Sequence, residues 1–397
     1  MQNDLSGNIL QYISNITQTY LNDNLLTFYK HNFNEKLITH IKRNLDNGFS
    51  DKKKSKYIKR YLRKFYKSVM PKRSYLNNTS KKQPNKEKIK AVIENVRNAP
   101  QPEQRTEEWY RFRYNLITAS NAYKAFGSEA KKNELICEKC KEFTYSDSKS
   151  VNLETPMHWG VKYEPLSVMY YEHSYKTKVE DYGCIQHHQY KFLGASPDGI
   201  NVDSSSNLYG RMLEIKNPKS RKITGVPKDE YWVQMQLQME VCNLNYCDFL
   251  ETKFIEYESR EEFIKDGSFN LTSDNKLKGI IMQFIKNNEV KYCYKPINLN
   301  EDEFRVWETK QMDGENDGYL WLQNIYWKLD QVSCVLVLRN KIWFSNCIKY
   351  IEDIWKVVEE ERINNKWVER KAKKKVKKLE EPIIVNKSLP LIINIDI

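Results

Sequence analysis

The sequence predicts an α/β protein in which helices flank a mixed sheet, and two observations lead to that class. Helical and extended patterns alternate through the middle of the chain, which is typical of helices packed on a sheet. Two apolar-rich segments, residues 192–202 and 209–217, are separated by the turn-forming run 203–207, and this pattern predicts a hairpin. Extensions are expected on both sides of this core, and the N-terminal one is predicted to be helical.

Composition divides the chain into three predicted domains. Residues 1–98 are expected to form a basic helical extension, residues 99–295 the core, and residues 296–397 an aromatic-rich region that ends in a basic helix and a tail. The proline-containing run 98–102 closes the first region. A length of 397 residues allows two or three domains and at least one sizeable hydrophobic core.

The N-terminal extension contains a strongly basic amphipathic helix. Its apolar stripe, Tyr57, Tyr61 and Phe65, recurs at helical spacing. The surrounding cations are Lys52, Lys53, Lys54, Lys56, Lys59, Arg60, Arg63, Lys64 and Lys67. Two interpretations stay open: a helix packed on the body with its cations in solvent, or a helix that contacts DNA. Residues 71–84 are typical of a linker.

The core is predicted to contain three helices and four strands. The first helix is expected at residues 106–126, with Thr106 as its N-cap and Glu107 and Glu108 in its first turn. The other helices are expected at residues 156–175 and 229–243, and the strands at residues 183–188, 192–202, 209–217 and 246–257.

The C-terminal region is rich in Trp and Tyr between residues 292 and 368, and a strand is predicted at residues 334–338. A helix is expected to follow and to end in Lys371, Lys373, Lys374, Lys375, Lys377 and Lys378. This basic run suits a localisation signal, a DNA-contacting arm or a solvated helix end, and the last is favoured. The apolar residues 389–397 suit either a docked strand or a partner-binding tail.

The charge balance favours a polyanionic partner. Lys and Arg number 65 against 52 for Asp and Glu, which gives a net charge of +13. Backbone phosphates attract such a surface without sequence preference. Some of the 26 tyrosines and 9 tryptophans could stack on bases, although most aromatic side chains pack protein cores.

The eight cysteines are scattered, and only Cys137 and Cys140 form a C-x-x-C pair. A zinc site needs four ligands, and no second pair stands at the spacing of a zinc finger. His158 or Cys184 could complete a site, but reduced thiols in an intracellular protein fit better. Residues 1–20 lack the pattern of a signal peptide, and no run of about 20 apolar residues predicts a membrane span.

One constellation carries catalytic chemistry. Fifteen residues separate Asp198 from Glu214, and Lys216 follows after Ile215. Because side chains alternate along a strand, Glu214 and Lys216 share one face, and the hairpin brings Asp198 beside Glu214. Two adjacent carboxylates suit Mg²⁺, and Lys216 could orient the attacking water. The alternative is a surface hairpin with an ordinary Glu-x-Lys pair.

Several segments in this order resemble the lambda-exonuclease, or YqaJ-type viral recombinase, branch of the PD-(D/E)XK nucleases. The resemblance runs from about residue 105 to about residue 254 and implies the restriction-endonuclease-like core of that superfamily. The matching segments are Arg113 to Ser120, Gly160 to Pro165, Ser196 to Gly199, Glu214 to Pro218 and Tyr231 to Gln236.

The resemblance assigns roles residue by residue. Asp198, Glu214 and the backbone carbonyl of Ile215 resemble the family's metal ligands, and Glu164 resembles the acid that holds a second ion or a metal-bound water. Lys216 resembles the residue that positions the nucleophilic water, and Gln234 resembles the helix residue that braces that water and Lys216. Two Mg²⁺ or Mn²⁺ ions are expected as cofactors.

A second cluster indicates where cleavage starts. Arg113, Ser120, Ser196 and Arg221 fall where the family forms its pocket for a terminal 5'-phosphate. The planar guanidinium of Arg suits bidentate contacts to phosphate oxygens. Such a pocket favours digestion in the 5' to 3' direction from a DNA end. The alternative for both arginines is solvated surface charge.

The resemblance therefore implies a Mg²⁺-dependent DNA exonuclease that acts on duplex ends in viral recombination or double-strand-break repair. The alternatives are a structure-specific endonuclease, an RNA-degrading nuclease on the same core, or a DNA-binding scaffold with a decayed site. Double-stranded DNA ends are the expected partner, a single-strand annealing protein and a homo-oligomer are candidates, and no membrane is expected. The expected location is the host cytoplasm or the viral replication site, with the nucleus left open.

Overall fold

The computed structural model describes residues 2–45, 50–76, 85–104, 106–144, 155–287, 289–313 and 318–370, and for residues 2–7 the backbone alone. The predicted α/β class is confirmed, because a mixed sheet is flanked by helices. The ten strands of the described chain are β1 Ile117–Thr118, β2 Val179–Glu180, β3 Ile185–Gln186, β4 Leu193–Ala195, β5 Gly199–Asn201, β6 Met212–Lys216, β7 Tyr246–Glu256, β8 Lys278–Lys286, β9 Glu289–Tyr294 and β10 Leu320–Leu338.

Seven strands form the main sheet, in the order β2-β5-β6-β7-β10-β8-β9. Strands β6 and β7 are parallel, whereas the other neighbours in this sheet are antiparallel. A smaller sheet has the order β1-β4-β3, and in it β1 runs parallel to β4. The catalytic hairpin predicted from the sequence is the β5–β6 pair of the main sheet.

The helices of the described residues surround both sheets. They are α1 Gln2–Asn24, α2 Phe33–Asn44, α3 Asp51–Ser68, α4 Lys86–Asn98, α5 Glu107–Tyr114, α6 Glu129–Cys140, α7 Pro156–Tyr175, α8 Asp229–Val241, α9 Arg260–Lys265, α10 Glu301–Asp313, α11 Lys341–Asn364 and α12 Trp367–Arg370. Helix α7 has the bounds that the sequence predicts, with Pro156 in its first turn and the Thr155 side chain capping its N-terminus. Helix α8 begins as predicted and ends two residues early.

The predicted helix at residues 106–126 is wrong beyond its first two turns. Thr106 does cap α5, since its hydroxyl accepts a hydrogen bond from the backbone N–H of Trp109 at 3.2 Å. The helix stops at Tyr114 because Ile117 joins a sheet, where its N–H donates to the carbonyl of Phe192 at 2.7 Å. A short 3₁₀ helix, Ala122–Phe126, follows.

The predicted strand at residues 192–202 is also wrong as a single element. It divides into β4 and β5, which belong to different sheets. The break falls at residues 196–198, where Pro197 has no N–H to donate to a strand ladder. Asp198 therefore lies immediately before β5, outside the regular strand.

The C-terminal region shares the main sheet with the core. Strand β10 has 19 residues and lies between β7 and β8, so the strand predicted at residues 334–338 is only its last part. The division into domains at residues 98 and 295 stays a prediction, and the sheet runs across the second boundary. The lysine run 371–378 and the apolar segment 389–397 lie outside the described residues.

The N-terminal helical extension is confirmed, and it packs against the core through aromatic residues. The ring of Phe28 lies 5.5 Å from that of Trp232 on α8, and Trp232 in turn lies 5.0 Å from Trp343 on α11. Arg73 also stabilises the interface between the N-terminal extension and the core, since it donates to the carbonyls of Tyr29 and Pro227, each at 2.7 Å. Among the described residues, no helix is long and apolar enough to cross a membrane.

Candidate active site

The β5–β6 hairpin brings the predicted catalytic carboxylates together. Gly199 pairs with Leu213 in antiparallel register, so Asp198 lies opposite Glu214 on β6. Its Oδ2 accepts a hydrogen bond from the backbone N–H of Ile215 at 2.6 Å. Glu214 is completely buried on this strand, whereas the side chain of Lys216 is about a quarter exposed. The predicted geometry is therefore present in the structure.

Local sequence explains why the hairpin takes this form. A Cβ atom at Gly199 would lie 2.2 Å from Cγ1 of Val179, so only glycine lets β2 approach β5 so closely. Residues of β6 alternate between two environments. Leu213 and Ile215 belong to an apolar cluster with Tyr171, which leaves Glu214 and Lys216 to form the polar face.

Gln238 on α8 holds Glu214 in place, and it was not among the residues predicted from the sequence. Its Nε2 donates to Oε2 of Glu214 at 2.7 Å and to the carbonyl of Ser196 at 3.0 Å. Gln234, the predicted helix residue, lies one turn earlier on the same face. The four-residue spacing of the two glutamines is the signal that could have identified Gln238.

Gln236 lies between Gln234 and Gln238 in the sequence, and its contacts stabilise the fold. Its Nε2 donates to the carbonyl of Leu338 at 2.9 Å, and its Oε1 accepts from the backbone N–H of Asn340 at 2.6 Å. These contacts join α8 to the end of β10 and to the start of α11. Gln236 and Gln238, two positions apart on α8, therefore have different roles: Gln236 joins elements of the fold, and Gln238 contacts Glu214.

The electrostatics of the site are those of crowded carboxylates. The pKa of Asp198 lies well above its ordinary value, first because of burial and then because of the negative charge of Glu214, with Glu164 adding to the effect. The ammonium group of Lys216 opposes this shift and contacts Glu214 directly. Burial disfavours the charged lysine, but Glu214 and Asp198 outweigh it and raise the pKa of Lys216 above the ordinary value.

The chemistry of these groups fits a hard divalent cation. Carboxylate and carbonyl oxygens are the ligands that Mg²⁺ prefers, and a cation would relieve the repulsion that raises the pKa of Asp198. In an extended strand the N–H and C=O of one residue point to the same side, so the carbonyl of Ile215 faces the side on which Asp198 lies. Within the described ranges, no group of three His, Cys, Asp or Glu side chains could hold a metal alone.

Glu164 is more exposed than Asp198 and Glu214. It is exposed on α7, and its charge raises the pKa values of Asp198 and Tyr294. It is therefore close enough to act on the site electrostatically. Its assignment to a second ion or a water stays a prediction.

Three residues of the predicted 5'-phosphate pocket lie together. The guanidinium Nη1 of Arg113 is 3.5 Å from Oγ of Ser196, and its Cζ lies 4.5 Å from the centre of the Trp109 ring. Ser120 and Ser196 each lie two residues beyond Thr118 and Gly194, which pair in the parallel strands β1 and β4. Ser120 and Ser196 therefore lie at the same end of the small sheet.

Arg221 has other contacts. It forms an ion pair with Glu251 at 2.5 Å, and its Cζ lies 5.8 Å from the centre of the Tyr231 ring. Lys216 and Lys228 approach the same ring, with Nζ atoms at 5.1 and 5.6 Å from its centre. Three cations thus surround one aromatic residue beside the carboxylates, where they could neutralise phosphate.

Among the described residues, Cys137 and Cys140 are not grouped with a third His, Cys, Asp or Glu that could hold a metal with them. All eight cysteines are free thiols. Cys137 and Cys140 contact the backbone carbonyls of Trp367 and Val358, and His158 instead contacts the hydroxyl of Tyr292 at 2.6 Å. The assignment as reduced thiols stays a prediction.

Comparison with known proteins confirms the predicted resemblance. Residues 108–245 match the model of the YqaJ-like viral recombinase domain, and this range contains every candidate site residue. The chain is 30% identical over 300 residues to an uncharacterized protein, R354, of Acanthamoeba polyphaga mimivirus. That alignment covers 66% of this chain and 54% of the relative, so the chain spans about half the length of the curated protein it matches.

Solved structures of exonucleases are similar to parts of the chain. An alkaline exonuclease (LHK-Exo) from Laribacter hongkongensis matches with a TM-score of 0.39 and 20% identity, covering 67% of this chain and 98% of that one. A phage-related exonuclease from Haemophilus somnus 129PT matches with a TM-score of 0.33 and 8% identity, covering 62% and 94% of the two chains.

Proposed function

We propose that this protein is a divalent-metal-dependent deoxyribonuclease that digests duplex DNA from its ends in the 5' to 3' direction. One observation carries the proposal: Asp198, Glu214 and Lys216 converge on the β5–β6 hairpin, held by the N–H of Ile215 and the side chain of Gln238. We place this activity in viral recombination or double-strand-break repair, because the matched domain is that of viral recombinases.

Different residues would have different roles in hydrolysis. Asp198, Glu214 and the carbonyl of Ile215 would hold Mg²⁺ or Mn²⁺. When bound, such an ion supplies positive charge to the scissile phosphate and its attacking and leaving oxygens. Lys216 stays protonated beside Glu214 and so presents an ammonium group that can orient the attacking water and offset charge in the transition state.

Other side chains position this machinery. Gln238 fixes the rotamer of Glu214 because it donates to one carboxylate oxygen while Lys216 contacts the other. Gln234 would brace the water and Lys216 from the preceding turn of α8. Glu164 would hold a second ion or a water at the outer side of the site.

The 5'-phosphate pocket supports the polarity of digestion. Arg113, Ser120 and Ser196 could receive the terminal phosphate, and the guanidinium of Arg113 also contacts the Trp109 ring. Ser196 is two residues from Asp198, so a phosphate bound there would place the adjoining phosphodiesters next to the carboxylates. Arg221 contributes positive charge beside Tyr231, while its carboxylate partner Glu251 keeps it oriented.

Digestion of linear and covalently closed circular duplex DNA tests the proposal. With Mg²⁺, the wild-type protein should degrade linear duplex carrying 5'-phosphates and leave the closed circle intact. Comparable cleavage of the circle would identify an endonuclease instead. Failure of the wild-type protein to degrade either DNA would refute the nuclease assignment and favour the decayed scaffold.

A further inference from the structure

Helix α3 presents an uncompensated cationic face. Its 18 residues include nine Lys or Arg and one acidic residue. Seven of these cations are exposed, and we call them the α3 basic face: Lys52, Lys53, Lys56, Lys59, Arg60, Arg63 and Lys67. None of the seven forms an ion pair with a carboxylate in the part of the chain that the structure describes.

This arrangement costs the helix stability unless an anion is present. Lys59 and Arg63, and likewise Arg63 and Lys67, are four residues apart, and like charges at that spacing repel. Helix α6 shows the usual surface solution, because Lys131 and Lys132 pair with Glu134 and Glu129. The α3 basic face lacks that alternation of sign.

The opposite side of α3 is fixed in the N-terminal layer. Ile58, Tyr61 and Phe65 are 2%, 3% and 0% exposed, and the one buried lysine, Lys54, donates to the carbonyl of Leu45 at 2.9 Å. The helix therefore cannot turn its apolar stripe toward a membrane, as an interfacial helix must. Its exposed residues also include no apolar anchor of the kind that dominates protein interfaces.

We propose that the α3 basic face binds the phosphate backbone of duplex DNA. The identity of the polyanion as duplex DNA rests on the proposed function, whereas the surface itself is defined by its charge. A helix of 18 residues is about 27 Å long, which corresponds to about eight base pairs of the duplex at ~3.4 Å each. Backbone contacts of this kind hold DNA without reading its sequence.

The N-terminal layer connects this face to the catalytic helix. The chain leaving α3 reaches Arg73, which donates to Oδ1 of Asp229 at 3.1 Å, the first residue of α8. Tyr66 of α3 also lines a cavity of about 240 Å³, together with Lys30, Lys72 and Val226. Helix α8 also carries Gln238, which contacts Glu214. DNA bound on α3 would therefore be held by a helical layer that packs directly on the helix beside the candidate active site.

Two charge-matched triple variants of the full chain test this proposal. Lys59→Gln, Arg63→Gln and Lys67→Gln remove three cations of the α3 basic face. The control, Lys86→Gln, Lys88→Gln and Lys90→Gln, removes three exposed lysines of α4, which is anchored elsewhere by the Arg97–Glu180 ion pair at 2.5 Å. Both variants change the net charge equally, and all six positions are exposed, so melting temperatures close to wild type are expected.

The measurement is the affinity for a 30-base-pair duplex at several salt concentrations, in EDTA so that no cleavage occurs. The α3 variant should bind roughly tenfold or more weakly, and its slope of log affinity against log salt should fall by about 0.9 for each phosphate that the variant no longer neutralises. The α4 variant should keep the wild-type slope. Equal slopes in the α3 variant and the wild type, or equal weakening of binding in both variants, would overturn the proposal.

Binding and cleavage are separated by this design. A wild-type protein that binds duplex through α3 but digests nothing with Mg²⁺ would refute the proposed nuclease function and leave the binding surface intact. A wild-type protein that digests linear duplex normally, with an α3 variant indistinguishable in binding, would refute the surface and leave the nuclease intact.

Discussion

The β5–β6 hairpin and the N-terminal helical layer hold their charged residues in opposite ways. In the hairpin, Glu214 is fully buried, and both carboxylate oxygens have defined contacts, with Lys216 and with Gln238. On α3, by contrast, seven cations are exposed and lack an ion-pair partner within the described residues. Buried and individually satisfied charges provide fixed geometry, whereas unpaired surface charges provide a broad field.

Under the proposed function, the two regions make separate contributions. The hairpin lies within the matched domain, residues 108–245, and α3 lies outside it. Substitutions in the hairpin should therefore alter the rate of cleavage and leave affinity for DNA largely intact. Substitutions on α3 should alter affinity and its salt dependence and leave the chemical step unchanged.

The largest effect is expected from removal of a carboxylate. Glu214→Ala should abolish cleavage while duplex binding stays close to wild type, because it removes a metal ligand and no phosphate contact. Glu240→Gln is the control, since Glu240 is also a buried carboxylate of the same helix–sheet layer but pairs with Arg339. Single-turnover cleavage and binding in EDTA should be measured for both, and cleavage near the wild-type rate in Glu214→Ala would refute the site.

Lys216→Ala should slow cleavage by roughly a hundredfold or more, since one preorganised electrostatic group typically contributes that much. Its apparent affinity for Mg²⁺ should change little. Lys328→Ala is the matched control, because Lys328 is a similarly exposed lysine of strand β10 in the same sheet but pairs with Asp266 at 3.2 Å. If the main defect of Lys216→Ala is weaker Mg²⁺ dependence, the lysine has a different role from the one proposed.

Two glutamines of α8 separate positioning from stability. Gln238→Leu removes the donor to Glu214 and should slow cleavage by about tenfold, whereas Gln236→Leu breaks contacts to Leu338 and Asn340 and should lower the melting temperature. Each leaves buried polar groups unpaired, at a cost of about 1–3 kcal/mol in the free energy of unfolding. A comparison of kcat per folded molecule distinguishes them, and equal kcat values for Gln238→Leu and the wild type would contradict the positioning role.

The smallest effect concerns the DNA end. Arg113→Ala should slow digestion of 5'-phosphorylated ends more than that of 5'-hydroxyl ends, because the guanidinium needs the terminal phosphate as an acceptor. Arg111→Ala is the control, since Arg111 on the same helix is exposed and pairs with Glu107 at 2.6 Å. Initial rates on both substrates decide the question. Equal slowing of both would mean that Arg113 is structural or contacts the backbone generally.

The local features of the core were predictable from the sequence. The cap at Thr106, helix α7 and the β5–β6 hairpin each follow from short-range patterns, and the hairpin sufficed to place Asp198 beside Glu214. Strand β10 was found only in part because register shifts near Leu329 and Trp321 break the alternation of its side chains.

Contacts between distant segments were not predictable. Gln238 reaches Glu214 across 24 positions of sequence, and Arg221 pairs with Glu251 on β7, so both relations depend on how α8 and β7 pack against β6. The split of residues 192–202 between two sheets is also a tertiary effect. Pro197 marks the break, but the sequence alone does not say that the chain changes sheets there.

Direct binding of Mn²⁺, followed by electron paramagnetic resonance, tests the central claim that Asp198, Glu214 and Ile215 form a divalent-cation site. Mn²⁺ suits the same oxygen ligands and can be detected without any substrate. The wild-type protein should bind Mn²⁺, and Asp198→Ala should lose that binding while keeping its fold and its affinity for duplex DNA. Equal Mn²⁺ binding by the wild type and Asp198→Ala would contradict the account.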